Sequence, residues 1–105
     1  MAETLIALCG LSSLREDEGL RVEFPDRPAV AVFLHGERIH VVDDLCTHGA
    51  ASLAEGFCEN SEIECPFHMG RFSLVTGEAT RAPCHEPIEV HRSTVVDGVV
   101  YLVQP

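Results

Sequence analysis

Residues 46–48 read Cys-Thr-His and residues 65–68 read Cys-Pro-Phe-His, with the sixteen residues 49–64 between them. Each short motif offers one soft thiolate and one imidazole from a tight turn. Two such turns facing one another can hold a metal centre between them, and two sulfurs with two nitrogens suit zinc or an iron–sulfur cluster. A zinc finger presents a cysteine pair followed by a histidine pair. Here the two residue types are mixed within each motif. That order suits a centre with two metal atoms, Cys46 and Cys65 holding one and His48 and His68 the other.

The motifs lie in a loop-rich stretch, residues 44–87, which carries four of the five cysteines together with Gly49, Gly56, Gly70 and Gly77. Outside it the pattern is short β-type runs between turn signals. Thr4–Leu8 (TLIAL) and Leu20–Phe24 (LRVEF) read as strands, with Ser12 or Ser13 as the cap of a helical turn between them. Ala29–Leu34 (AVAVFL) is a continuous apolar run short enough for a buried strand, and Arg38–Val42 returns from a turn at His35-Gly36-Glu37. Ser93–Val96 and Val99–Val103 flank Asp97-Gly98, a strong hairpin signal. No run suggests a helix of three turns. The expectation is one all-β domain over 1–105, with a base from 1–43 and 88–105 and a loop-built subdomain from 44–87.

Composition narrows the function. The chain has 105 residues, 17 acids and seven basic residues, all Arg, for a formal charge of −10. Nucleic acid and anionic membrane both call for a basic footprint, so neither is expected as a partner. No run approaches the roughly 18 apolar residues of a membrane span. Residues 1–14 lack the basic start of a secretory leader, so a cytoplasmic address is expected. An odd cysteine count in that setting argues against a disulfide framework. A chain this short has no room for a large substrate pocket.

With these residues in view the sequence resembles the Rieske [2Fe–2S] proteins, whose motif is C-x-H, a spacer of about sixteen, then C-x-x-H. The stretches CTHGAASLAEGF, IECPFHMGRF and TGEATRAP look most like the small Rieske ferredoxins of bacterial aromatic-ring-hydroxylating dioxygenase systems. The likeness runs from about Val30 to Leu102. It implies the Rieske fold, with an antiparallel β-sandwich base. It implies one [2Fe–2S] cluster held by Cys46 and Cys65 on one iron and by His48 and His68 on the other, through Nδ1, with the second ring nitrogens facing solvent. The implied role is an electron carrier, not a catalyst. Electrons would come from a flavoprotein reductase and pass to the α-subunit of a terminal oxygenase. A monomer is expected. Gly49, Ala50, Pro66, Phe67, Met69 and Gly70 would shield the cluster or dock the partner, and Pro83 would sit on a covering loop.

Respiratory Rieske proteins carry a clamping disulfide at the positions of Ala51 and Phe67, and hydroxyl donors at those of Gly70 and Phe72. This chain has neither. Donors to sulfur stabilise the reduced cluster, so a potential on the order of −150 mV is expected, rather than about +300 mV. An all-cysteine oxidised cluster is doubly negative, and exchanging two thiolates for neutral imidazoles makes it neutral. An added electron then costs less.

Other residues have plainer readings. Cys9, Cys58 and Cys84 read as small buried apolar residues. His35 reads as a turn residue, His40 and His91 as surface residues, and His85 as no second metal site. Glu16-Asp17-Glu18 reads as a solvated loop. Asp43-Asp44 is either a partner-binding pair or a strand-end turn. Asp43, Asp44, Glu55, Glu59, Glu62 and Glu64 lie near the motifs in sequence, as candidates for steering a partner. Three functions compete with the dioxygenase reading: service to a di-iron monooxygenase or other oxidase, a zinc-stabilised binding module, and a redox sensor using Cys58 or Cys84.

Overall fold

An apolar run without alternation can be a strand only where both faces are covered. Val30–Phe33 is such a run, and all four residues are fully buried. They begin β3 (Val30–His35), which pairs antiparallel with β4 (Arg38–Asp43) across a turn that holds Gly36 at φ +62°. The computed structural model describes residues 3–47, 49–67 and 69–105. Both His48 and His68 fall outside them.

Three antiparallel sheets are present among the described residues. In the first, β1 (Thr4–Gly10), β11 (Val99–Gln104) and β10 (Ser93–Val96) lie in the order β1-β11-β10. In the second, β2 (Leu20–Val22) and β9 (Val90–His91) flank the central hairpin in the order β2-β3-β4-β9. The third, from the middle of the chain, runs β5 (Phe57–Glu59), β6 (Glu62–Glu64), β7 (Arg71–Ser73) and β8 (Ala79–Arg81) in sequence order.

The second sheet serves two cores. Val30, Val32 and Val41 pack with Leu14, Val100 and Leu102, joining it to the first sheet. The alternate residues Ala31, Phe33 and Val42 pack with Leu53, Ile63, Phe72, Leu74, Ile88 and the cysteines of the middle stretch. Strand alternation divides the tenants between the two. Burying each Val or Phe contributes about 1.5–3 kcal/mol, so both cores draw on this one hairpin.

The sequence expectations hold for the outer hairpins. Asp97 (φ +50°) and Gly98 (φ +76°) form the turn between β10 and β11, both central residues left-handed as a type I′ turn requires. Other details differ. The helical turn at Leu11–Ser13 follows Gly10 and has no serine cap; the Leu11 N–H bonds the Gly98 carbonyl instead. Cys9 lies inside β1, at a register shift between Ala7 and Cys9, and is half-buried. His40 is buried on β4 opposite Phe33, facing the core it shares with the middle sheet. The second strand ends at Val22, before Phe24. Residues 44–87 carry loops, and also the four-stranded middle sheet. Its strands of three residues are too short to show alternation. The β5–β6 turn uses Asn60 and Ser61, both at positive φ, with no glycine to announce it.

Candidate metal centre

Cys46 lies three residues past the end of β4, and its turn is closed by backbone bonds. Cys46 N–H donates to Ala51 O at 3.0 Å, Gly49 N–H to Cys46 O at 3.3 Å, and Ala51 N–H to Gly49 O at 2.8 Å. Asp44 holds this turn from behind. It is almost fully buried, and its carboxylate accepts from Ser52 Oγ at 2.8 Å and Ala54 N–H at 3.0 Å, with Arg21 Nε 3.5 Å away. Of the two readings of Asp43-Asp44, Asp44 is therefore the strand-end turn residue. Asp43 accepts from the His91 ring at 2.8 Å, so His91 is half-buried and partnered rather than a free surface residue.

The second turn links β6 to β7. Cys65 N–H donates to Gly70 O at 2.7 Å, and Met69 sits at φ +60° between them. A third loop, with Pro83 half-buried and Cys84 buried, packs against both turns through Cys84. Thr47 Oγ1 ties this loop to the first turn by donating to Glu86 O at 2.8 Å. A Cβ on Gly70 would lie 2.4 Å from Cys84 Sγ. Gly70 is thus buried against the third loop. Gly49 has nothing within 4 Å of its Cβ position.

Three buried thiols converge where the loops meet. Cys46 Sγ and Cys84 Sγ are 3.9 Å apart, and Cys65 lies within hydrogen-bonding reach of Cys46. Burial, above all, pushes the Cys65 thiol up, and the Phe67 N–H opposes this by donating to its sulfur. Cys84 is raised by burial and by Cys46 beside it. Cys58 is also buried, away from this group, and is pushed up to about 12 by burial and by Asp17, whose carboxylate is 3.6 Å from its sulfur. Cys58 and Cys84 are buried, as expected; Cys84 is in addition part of the centre.

Around the thiols the surface is apolar and exposed. Leu45 is 63% exposed, Phe67 55% and Met69 62%, and Gly49, Ala50 and Pro66 are exposed beside them. Leu45 was not singled out by the sequence; its place one residue before the Cys-Thr-His motif was the available signal. Ala51, by contrast, is buried. The acids expected to steer a partner are largely committed elsewhere. Glu64, Glu59 and Glu62 surround Arg71 at 3.0, 3.5 and 3.6 Å, which leaves Glu55 exposed and Glu86 as an exposed acid beside the first turn.

The acidic run 16–18 is likewise not simply solvated. Both Glu16 carboxylate oxygens accept from Gly36 N–H, and Asp17 bonds the His35 ring at 2.7 Å, so His35 is more than a turn residue. The same three residues lie close enough to share an ion, but these bonds already satisfy them. No helix among the described residues is long and apolar enough to cross a membrane.

Two buried thiols on opposed turns, one receiving an amide N–H, fit the sulfur half of a cluster-binding donor set. Comparison with known proteins agrees. The Rieske [2Fe-2S] domain matches residues 4–93. The ferredoxin component of the p-cumate 2,3-dioxygenase system of Pseudomonas putida is 37% identical over 99 residues, covering 93% of this chain and 84% of that protein. A Sphingomonas yanoikuyae B1 ferredoxin superposes with a TM-score of 0.92 at 39% identity, over 97% of this chain and all of that one. A chain from the complex of reduced oxygenase and oxidized ferredoxin in carbazole 1,9a-dioxygenase superposes at 0.88 with 36% identity, over 93% of this chain and 91% of that one.

Proposed function

Because the chain belongs to the Rieske [2Fe–2S] family, in its ferredoxin branch, we propose that it carries single electrons from a flavoprotein NAD(P)H reductase to the terminal oxygenase of an aromatic-ring-hydroxylating dioxygenase. The observation that carries this reading is the sealed pair of thiols beneath an exposed apolar lip. It is supported by relatives named as ferredoxin components and by a relative found in complex with its oxygenase.

In this reading Cys46 and Cys65 hold one iron, and His48 and His68 the other. When bound, the cluster supplies a one-electron couple. The chain's own residues do the rest. The backbone bonds of the two turns fix the thiols in place, and the Phe67 N–H donates to the Cys65 sulfur. The Pro83 loop and Gly70 exclude water from the sulfur side. Leu45, Gly49, Ala50, Pro66, Phe67 and Met69 form the lip against which a partner docks, a small contact of the kind suited to brief electron-transfer encounters. A 360 Å³ cleft beside Leu45 and Ala50 can seat one partner side chain. The protein acts as a cytoplasmic monomer, and its oxygen chemistry belongs to the oxygenase.

The test is spectroscopic, then kinetic. The purified protein is expected to absorb visible light and, once reduced, to give a Rieske EPR signal with a midpoint on the order of −150 mV. Replacing His48 or His68 by Ala should abolish that signal. A colourless protein containing zinc overturns the reading, and a clearly positive midpoint overturns the low-potential assignment. Reduction by a flavoprotein reductase and oxidation by a dioxygenase oxygenase should each be seen in stopped flow. Oxidation by a di-iron monooxygenase alone would reassign the partner.

A further inference from the structure

Cys84 is a third buried sulfur at the centre and has no part in the four-ligand set. It is 5% exposed, and its Sγ lies 3.9 Å from that of Cys46. The space it fills is kept for it. A side chain at residue 70 would meet Cys84 Sγ at 2.4 Å and its backbone nitrogen at 2.9 Å, so the Cys65 turn and the Pro83 loop close around this one thiol because residue 70 is glycine.

We propose that Cys84 donates an S–H···S hydrogen bond to the Cys46 sulfur and so raises the centre's affinity for an electron. The proposal rests on the reading in which Cys46 is an iron ligand. An iron-bound thiolate has no proton to give, so in this pair Cys84 is the donor. Negative charge on a ligand sulfur grows on reduction, and a hydrogen bond to it is stronger in the reduced state than in the oxidised one. The difference between the two states appears as a higher midpoint. Residues 70 and 72 are Gly and Phe and offer no hydroxyl. The Phe67 amide serves Cys65. Cys84 is thus the side chain placed to do for Cys46 what that amide does for Cys65, and it acts through the ligand as a positioning residue.

The experiment uses the cluster-loaded protein and its Cys84→Ala, Cys84→Val and Cys84→Ser variants. Cys84→Ala and Cys84→Val should each lower electron affinity several-fold, towards tenfold, which for a one-electron couple is about 59 mV. Cys84→Ser, which keeps a donor, should stay within about twofold of the parent or exceed it. An unchanged midpoint in Cys84→Ala and Cys84→Val overturns the proposal, and so does a fall in Cys84→Ser equal to theirs, which would mark a packing role. If the variants fail to load, the parent protein decides by reduced-minus-oxidised infrared difference spectra. One S–H stretch should move to lower frequency on reduction and shift again in D2O; its absence overturns the proposal. A parent protein with no Rieske EPR signal instead refutes the reading on which the proposal rests.

Discussion

At the scale of single residues, the two glycines of the metal-binding turns are not equivalent. A Cβ on Gly70 would meet the Cys84 sulfur and backbone at less than van der Waals distance, while one on Gly49 would meet nothing within 4 Å. Gly70→Ala is therefore expected to destabilise the protein by ~1–3 kcal/mol, as overpacking does, and to speed bleaching of the visible band. Gly49→Ala should stay within about 0.5 kcal/mol of the parent in urea unfolding. Equal effects would mean that the Pro83 loop does not close on the Cys65 turn. His40 gives a second expectation. Its ring is buried, bonded to the Leu74 carbonyl, with Nε2 unpartnered. Burial first, then His35 and Arg38, lower its pKa from 6.5. The unfolded chain takes up this proton more readily, so His40 removes stability as pH falls below about 6.5. His35, held up by Asp17, has the opposite sign: its contribution is present at low pH and is lost as pH rises through its raised pKa. His40→Leu should shrink the difference in urea midpoint between pH 7.5 and pH 5, and an unchanged difference would refute the assignment.

At the scale of elements, the middle sheet depends on Arg71. This side chain on β7 reaches Glu64 on β6 through two nitrogens and lies near Glu62 and Glu59 on β6 and β5, so one cation spans three strands. Arg71→Met would leave three neighbouring carboxylates with only Arg81, 3.5 Å from Glu64, as a counter-charge. A lower melting temperature is expected, with the drop larger at low salt than at high salt. A salt-independent drop would point to lost packing instead. The element scale also shows what the sequence could and could not reveal. The β3–β4 and β10–β11 hairpins were legible because the six-residue apolar run Ala29–Leu34 and an Asp-Gly turn are strong signals. The middle sheet was not, because three-residue strands fall below the window in which alternation can be counted, and because Asn60-Ser61 turns the chain without glycine. The Cys-x-His and Cys-x-x-His motifs stood out by their spacing. The support behind them was not: the buried Asp44, the Thr47–Glu86 tie and the pairing of Cys84 with Gly70 join residues from 8 to 39 positions apart or bring two loops together only in space.

At the scale of the whole molecule, charge is the dominant property. Of seven arginines, Arg21, Arg71, Arg81 and Arg92 are paired with carboxylates. Little positive surface is left against a net −10. A field of one sign steers a basic partner and raises the encounter rate. The second-order rate of reduction of a partner oxygenase should fall steeply as salt is raised from about 0.05 to 0.5 M, which spans Debye lengths from above to below about 10 Å. A rate independent of salt would remove steering and leave the apolar lip as the whole of recognition.

The double occupancy of the central hairpin has a consequence for how such a chain can change. Odd positions Ala31 and Phe33 with Val42 belong to one core, and even positions Val30 and Val32 with Val41 to the other. Lineages can thus alter the metal-binding half and the supporting half almost separately, so long as each keeps its own parity class on β3. Insertion or deletion of one residue within β3 is a different matter, since it exchanges the two classes at a stroke. Drift in this hairpin is confined to substitution, and its length is inherited as a frame that both halves must read alike.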